Sequence, residues 1–268
     1  MSAEAPGPIR RLRGHLAARL RRRPDLQSRL EVSPYVAEGT LELLEHERTG
    51  TVLGYSGRRS WRDPAQALVD VFRGPESRVR DLQSVYLPLL DGREPVLDAG
   101  CGRGEFLDLV RGAGLEVRGV DADPALVEQC RAKGHQVECE EVNPYLQGVP
   151  DQSLGVLFSA QMIEHLPYRD LVRFLELGAR KLKPDGLLIA ETVNVHLIEG
   201  FKTFWLDPTH MTQAFPETLL VLCQAAGFDS AYAFHPFGVG DFERDRLTQP
   251  TFAVVASKGD VALRASAA

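Results

Sequence analysis

One tract, residues 95–123, constrains the fold of this chain more than any other part of its sequence. Residues 96–99 are apolar enough for one buried strand, and they lead into the glycine-rich turn 100–104. A helix-periodic stretch follows, and a second apolar run, residues 115–120, ends at Asp121. This order predicts the first half of a nucleotide-binding βαβ unit, because glycines let the backbone approach a ligand closely.

The spacing of the glycines separates two classes of cofactor. The dinucleotide fingerprint is G-x-G-x-x-G, whereas Gly100, Gly102 and Gly104 follow the pattern G-x-G-x-G. A pyrophosphate needs bare N–H groups at a helix start, where Glu105 would repel it. S-adenosylmethionine (SAM) carries a cationic amino group and a sulfonium instead, which suit Asp98 and Glu105. The tract therefore predicts SAM rather than NAD.

With Asp98 two residues before the first glycine, the tract resembles motif I of the class I SAM-dependent methyltransferases. Asp121, at the end of the second strand, can accept hydrogen bonds from both hydroxyls of a ribose, as the family's ribose-binding acid does. The resemblance also implies an acid near the adenine amino group, for which Glu141 fits best. Further cofactor contacts are expected from Ala122, Val142 and Ser159.

The alternation of apolar runs and helix-periodic stretches predicts an α/β fold with a Rossmann-like, mostly parallel sheet of about seven strands. The SAM-binding domain is predicted to span residues 91–258, followed by a flexible tail, 259–268. Residues 1–90 are predicted to be a helical N-terminal extension. It would contain a basic amphipathic helix, 9–23, and helices over 64–90 that cap the cofactor.

The formal net charge of −6 argues against general nucleic-acid binding, but the charge is uneven, since residues 9–30 hold eight arginines and one acid. Two interpretations of the basic helix remain. It could make weak contact with an anionic membrane surface or an acidic partner, or it could pack its leucines on the main domain. Without an apolar h-region or a long apolar run, the sequence predicts a cytoplasmic protein, with peripheral membrane attachment as the variant.

Residues that could do chemistry follow the fourth predicted strand. The sequence S-A-Q-M-I-E-H-L-P, residues 159–167, places Glu164 and His165 where ligands bind in such sheets. The tract F-W-L-D-P-T-H, residues 204–210, adds Asp207 and His210 in a predicted loop. In one mechanism His165 or His210 is the general base, oriented by Glu164 or Asp207. In the other, Glu164, His165 and His210 hold a divalent cation such as Mg²⁺.

Two further resemblances bear on the acceptor. F-W-L-D-P-T-H, together with R-G-E, Q-M-I-E-H-L-P and E-T-x-N, resembles bacterial methyltransferases of lipopolysaccharide and other surface glycans, over roughly residues 70–228. It implies O-methylation of a sugar hydroxyl, with glycosyltransferases as partners. Gln161-x-x-Glu164-His165 resembles the E-x-x-E-H metal site of ubiquinone-pathway and small-RNA methyltransferases, except that Gln161 replaces a carboxylate. The alternatives are a quinol-like acceptor, a glycan phosphate, and a non-catalytic SAM-fold partner of a glycosyltransferase.

Overall fold

The computed structural model describes residues 42–56 and 75–259. The chain divides into two compact units, Met1–Gly74 and Pro75–Ala268. The predicted basic helix 9–23, the first part of the predicted cap helices (64–74) and the tail from residue 260 lie outside the described residues.

The described part of the first unit is a β-hairpin. Strands β1 (Glu42–His46) and β2 (Gly50–Gly54) pair antiparallel, with Glu45 opposite Thr51. Gly50 has a φ of +78°, which favours glycine and lets the chain reverse at this point. The Thr51 hydroxyl donates across the pair to Glu45, at 2.8 Å. The prediction of helices is therefore wrong for this stretch, because the turn before Gly50 and the cross-strand pairs outweigh the helical pattern.

The second unit is built on one seven-stranded sheet with the order β5-β4-β3-β6-β7-β9-β8. Every neighbouring pair is parallel except those of β9, which runs antiparallel to both β7 and β8. This confirms the mostly parallel, Rossmann-like sheet. The strands are β3 (Val96–Ala99), β4 (Val117–Asp121), β5 (Val137–Cys139), β6 (Leu154–Ala160), β7 (Leu182–Val193), β8 (Ser230–Phe234) and β9 (Thr251–Ser257).

Helices cover both faces of this sheet, as the two large apolar clusters show. One face packs against side chains of α4, α5 and α7, and the other packs against α2. None of the helices that the structure describes is long and apolar enough to cross a membrane. The helices are α1 (Glu76–Gln83), α2 (Glu105–Gly112), α3 (Pro124–Ala132), α4 (Val142–Gly148), α5 (Tyr168–Lys181), α6 (Ile198–Leu206), α7 (Pro216–Ala226) and α8 (Phe242–Asp245).

Residues 75–90 belong to the sheet domain rather than to a separate extension. Helix α1 is followed by a 3₁₀ helix, Ser84–Leu89, which confirms helical structure over this part of the predicted cap. Tyr86 and Leu90 are fully buried in the cluster that also contains Phe106 and Phe158. The compact domain therefore begins at Pro75, earlier than the predicted residue 91.

One strand is longer than its sequence suggests, and one local prediction near the site is corrected. Residues 183–186, K-P-D-G, have a sequence typical of a turn but lie within the long strand β7, whose register shifts by a bulge between Leu154 and Val156 of β6. Residues 204–206, expected in a loop, form the end of α6. Phe204 is buried against Val193 and Val195, so tertiary packing supports a helix that its aromatic and β-branched residues would not favour alone.

Candidate cofactor and catalytic site

The glycine turn approaches the segment that follows β6. The Gly100 amide donates to the Val120 carbonyl at 2.8 Å, which fixes the turn against β4. Gly100 has a φ of +74°, and a Cβ at this position would lie 2.5 Å from Cγ of Met162. Only glycine fits here, so the predicted turn is brought directly against the stretch that contains Glu164 and His165.

Asp121 organises the turn through its carboxylate. One oxygen accepts a hydrogen bond from the Gly102 amide at 2.8 Å, and the other accepts from the Asp123 amide at 2.9 Å. Asp123 itself caps α3 by accepting from the Ala125 amide at 2.8 Å. Each Asp121 oxygen keeps a lone pair, so the predicted ribose-binding role fits this geometry.

Asp98 is the buried acid of this region, at 3% exposure. Burial, followed by the nearby carboxylates of Asp121 and Glu105, raises the pKa of Asp98 well above its ordinary value. Within residues 42–56 and 75–259, no hydrogen bond to the Asp98 carboxylate is observed. Such crowding of acids is relieved by a cationic ligand, which is what SAM offers and a pyrophosphate does not.

Glu105 is paired with a neighbouring arginine. It begins α2, as expected, and is 6% exposed, but Arg103 holds its carboxylate by an Nε–Oε1 contact of 2.8 Å and an ion pair of 2.6 Å. The charge of Glu105 is therefore already compensated by a neighbour two residues away. A SAM cation would meet Asp98 rather than Glu105 as its unpaired acid.

The other predicted cofactor residues lie at the carboxyl edge of β4, β5 and β6. Ala122 is exposed directly after β4, and Glu141 is exposed at the start of α4, with Val142 buried behind it. Ser159 is fully buried in β6, and its hydroxyl has no partner among the described residues. A buried hydroxyl without a partner normally has a ligand or water in the native state, which fits a place for Ser159 beside a cofactor.

Glu164 lies in a short 3₁₀ helix, Ile163–His165, directly after β6, and its side chain is fully buried. Neither carboxylate oxygen has a hydrogen-bond partner of ordinary geometry among the described residues. Burial raises the pKa of Glu164 to about 8; Thr192 opposes the shift, and Glu191 and Asp207 reinforce it. A buried carboxyl group left in this state calls for a proton or a cation.

The loop after α6 is anchored on Glu164 and its neighbours. The Glu164 carbonyl accepts hydrogen bonds from the amides of Met211 and Thr212, at 2.8 and 3.0 Å. The Thr212 hydroxyl donates to the Leu166 carbonyl at 2.6 Å. Two segments more than forty positions apart are thereby joined, and His210 is carried to His165.

The two histidines stand edge to face, with ring centroids 4.6 Å apart. Nδ1 of His210 contacts the Phe204 carbonyl at 2.8 Å, and a carbonyl can only accept, so this nitrogen carries a proton. Nδ1 of His165 contacts Thr209. Asp207 lies 3.9 Å from Nε2 of His210. Burial alone would raise the pKa of Asp207, but hydrogen bonds from Thr209 and the nearby histidines lower it.

Glu164, His165 and His210 form the one cluster of potential metal ligands within the described part of the chain. One ligand atom from each lies within 4.8 Å of the others. The donors fit a divalent cation, since the buried acid Glu164 has no hydrogen-bond partner in the described part of the chain and a carbonyl orients His210 through its other nitrogen. Two imidazoles suit Mn²⁺, Fe²⁺ or Zn²⁺ better than Mg²⁺, which prefers oxygen ligands.

A buried pair behind this cluster was not predicted from the sequence. The Tyr86 hydroxyl donates to Glu191 at the carboxyl end of β7, and the Gln161 amide donates to the other oxygen at 3.2 Å. Gln161 has a φ of +52°, and its backbone amide also donates to the Glu191 carbonyl at 3.0 Å. Glu191 thus fixes Gln161, the residue of positive φ from which the segment 161–165 begins. The signal that could have revealed it was an acid directly after the apolar run 187–190.

His196 follows β7 and has a structural partner. Its Nε2 contacts Glu217 at 3.1 Å, and its ring stands edge to face against Phe215. These contacts tie the end of β7 to α7, outside the Glu164 cluster.

Together, the reversed last strand, the glycine turn against β4 and the acids at the ends of β3 and β4 define a Rossmann-like domain built to bind a nucleoside-containing cation. A second cluster of acid and imidazole groups follows β6, at the same edge of the sheet. This combination is that of a class I SAM-dependent methyltransferase domain.

Comparison with known proteins agrees. Residues 72–232 match the family described as "Methyltransferase domain", so the chain belongs to that family. A methyltransferase of Mycolicibacterium smegmatis, named as SAM-dependent, is 32% identical over 155 residues, 57% of this chain and 59% of that protein. A similarly named protein of Mycobacterium tuberculosis is 34% identical over 133 residues, covering 50% of this chain and 48% of the relative. The chain thus spans about half the length of these curated relatives.

A solved structure supports the same fold. The SAM-dependent methyltransferase of Archaeoglobus fulgidus superposes with a TM-score of 0.65 at 27% identity, over 73% of this chain and all of that protein.

A ubiquinone biosynthesis O-methyltransferase of Chelativorans is 30% identical in sequence over 105 residues, 37% of this chain and 40% of the relative.

Proposed function

We propose that this protein is a SAM-dependent O-methyltransferase whose acceptor is a sugar hydroxyl of a bacterial glycan, polysaccharide or glycolipid. One observation carries the proposal: the glycine turn lies against Met162, and the Glu164–His165–His210 cluster begins two residues later. A cofactor site and a group of acid–base residues therefore share one edge of the sheet. A purely binding subunit would have no need of a buried, unpaired Glu164 beside two imidazoles.

The cofactor would be held by Asp98 and Asp121, with Ser159 and the backbone of residues 100–104 around it. SAM, when bound, supplies an electrophilic methyl group on a sulfonium. The chain's part is to bind and orient the acceptor in line with that methyl and to exclude water. The crowding of Asp98 with Asp121 favours a cationic ligand over a neutral or anionic one.

His165 and His210 are the residues that would activate the acceptor hydroxyl. A sugar hydroxyl is a poor nucleophile at neutral pH and needs its proton removed. Nδ1 of His210 donates its proton to the Phe204 carbonyl, so Nε2 of that ring carries the lone pair that can take a proton. His165 stands beside it, at a ring separation of 4.6 Å. Either ring can therefore serve as general base.

A divalent cation on Glu164, His165 and His210 is the second form of this mechanism. Such a cation would lower the pKa of the acceptor hydroxyl. The chain would contribute the Glu164 carboxyl group, whose raised pKa otherwise favours its protonated form. It would also contribute two imidazoles whose Nδ1 atoms are held by Thr209 and by the Phe204 carbonyl. The donor set favours a transition metal over Mg²⁺.

The acceptor class rests on the tract 204–210 and on the apolar rim beside the cluster. Trp205 is 61% exposed, and its ring contacts Phe204, which in turn contacts His210. An aromatic face next to the reacting groups suits the C–H face of a sugar, and it suits a quinol ring as well. Similarity to a ubiquinone biosynthesis O-methyltransferase favours the quinol as the second candidate.

The test is methyl transfer from labelled SAM to panels of sugars, oligosaccharides, glycan phosphates, quinols and catechols. Each panel is run with Mn²⁺, with Mg²⁺ and with chelator. Label on a sugar supports the proposal. Loss of that label with chelator supports the mechanism in which a divalent cation activates the acceptor. Label on a quinol or catechol alone would overturn the glycan assignment.

Two variants separate chemistry from binding. His210→Ala should lose methyl transfer by about 100-fold or more, as expected for a general base or a metal ligand, while SAM affinity stays unchanged. His196→Ala is the matched control, because its ring lies outside the cluster and contacts Glu217. Full turnover in His210→Ala would remove that ring from the mechanism. A wild-type protein that binds SAM but labels no acceptor, even with added glycosyltransferase extract, would favour the binding-subunit alternative.

A further inference from the structure

Thr209 occupies a position that the catalytic proposal does not explain. Its hydroxyl lies 2.9 Å from Nδ1 of His165 and 2.6 Å from Oδ1 of Asp207. Its backbone amide donates to the same Asp207 oxygen at 2.8 Å, so the side chain and the backbone of Thr209 share one acceptor. Asp207 itself has no recorded hydrogen bond to His165 within the described residues, and Thr209 stands between them.

The direction of each proton follows from what the groups can do. A carboxylate only accepts, and a hydroxyl has one proton, so the short contact with Asp207 takes the proton of Thr209. The hydroxyl oxygen then faces Nδ1 of His165 as an acceptor. The Thr209 carbonyl, which also only accepts, lies 3.3 Å from the same nitrogen. Both neighbours therefore require a proton on Nδ1.

We propose that Thr209 is a positioning residue through which Asp207 holds His165 in the tautomer protonated on Nδ1. The lone pair of His165 then resides on Nε2, as it does in His210, where the Phe204 carbonyl performs the same task. The Thr209–Asp207 pair and the Phe204 carbonyl therefore favour the same tautomer in the two rings. In that tautomer the Nε2 atom of each ring is free to accept a proton from the substrate or to bind a cation.

This inference deepens the proposed function and rests on it for its catalytic consequence, but the tautomer can be read without any turnover. The experiment is ¹⁵N NMR of protein labelled at histidine, with chelator present and at a pH where the rings are neutral. The two neutral tautomers give different nitrogen shifts and different two-bond couplings to the ring protons. The signals of His165 are assigned by their absence in His165→Gln.

The wild-type signal of His165 should show a protonated Nδ1. Thr209→Val removes the hydroxyl at nearly constant volume and should move the population of that ring towards the Nε2-protonated form. Thr209→Ser should restore the wild-type pattern. Thr203→Val is the matched control, because the Thr203 hydroxyl donates to the Glu199 carbonyl within α6. Asp207→Ala, which removes the acceptor of the Thr209 proton, should produce the same change as Thr209→Val.

In turnover, Thr209→Val should lower kcat by about 10-fold to 100-fold with little change in KM for SAM, and Thr209→Ser should recover most of it. A wild-type His165 protonated on Nε2, or an unchanged His165 pattern in both Thr209→Val and Asp207→Ala, would overturn the inference. Should the tautomer respond as expected while the wild type methylates no acceptor, the proposed function would fail and the positioning role would stand.

Discussion

Replacing Glu164 with glutamine should change how the stability of the free domain depends on pH. Glu164 is fully buried, and burial raises its pKa to about 8 from an ordinary value of 4.5. The folded state therefore binds a proton more tightly than the unfolded state. The stabilising contribution of that proton is fully present below pH 4.5 and is lost as the pH rises through about 8.

The magnitude follows from that interval. At about 1.4 kcal/mol per pH unit, the raised pKa of Glu164 lowers the stability of the folded state by about 5 kcal/mol above pH 8. At pH 5.5, where only the unfolded state ionises at this residue, the loss is about 1 kcal/mol. Glutamine cannot ionise, so Glu164→Gln should gain about 3 kcal/mol relative to wild type between pH 5.5 and pH 8.5. For a domain of this size the gain corresponds to about 6–12 °C in Tm.

The assay is thermal unfolding of both proteins across this pH range, with chelator present so that no cation compensates the charge. Any cost of packing a buried amide is common to all pH values, so the pH-dependent part of the difference is the observable. Glu176→Gln, an exposed acid on α5 that pairs with Arg173, is the matched control and should show no such trend. Parallel curves for Glu164→Gln and wild type would refute the reasoning.

Three further variants test the rest of the site. Gly100→Ala forces a side chain into a left-handed backbone conformation and should weaken SAM binding by about 10-fold to 100-fold, as measured by calorimetry. Gly112→Ala, whose added Cβ would meet open space, is the control and should leave SAM affinity unchanged. Equal affinities of the two variants would contradict the turn geometry. Asp98→Asn should raise Tm at neutral pH while lowering SAM affinity by about 10-fold or more, and unchanged affinity would remove Asp98 from the cofactor site. Tyr86→Phe leaves the buried Glu191 carboxyl short of a donor and should cost about 1–3 kcal/mol in urea unfolding; a cost near zero would show that the hydroxyl is dispensable.

The cofactor half of the site could be predicted because its parts are close in sequence. Gly100 and Asp121 belong to one strand–turn–helix–strand unit, so their roles follow from local geometry. The pairing of Glu105 with Arg103 could not be predicted from the motif alone, because two adjacent charges can face each other or a ligand. The hairpin at residues 42–54 was missed for a related reason, since a short polar stretch with helical spacing does not reveal its cross-strand partners.

The catalytic half depended on contacts between distant segments. Glu164 and His165 were expected near the ligand because they follow a strand, and the metal hypothesis grouped His210 with them. The sequence could not show that the amides of Met211 and Thr212 dock on the Glu164 carbonyl and bring His210 to His165. Nor could it show that Tyr86 reaches Glu191, which is 105 positions away.

By itself, then, the sequence determined the parallel α/β sheet, the glycine turn and its acids, because hydrophobic period and glycine spacing are local properties of the chain. Tertiary structure alone decided that the Glu164 carboxyl has no hydrogen-bond partner among the residues that the structure describes. It also decided that Thr209 links Asp207 to His165 and that the two imidazoles stand edge to face. Burial and proton direction are set by which segments meet, and that is fixed only when the sheet and its loops close around them.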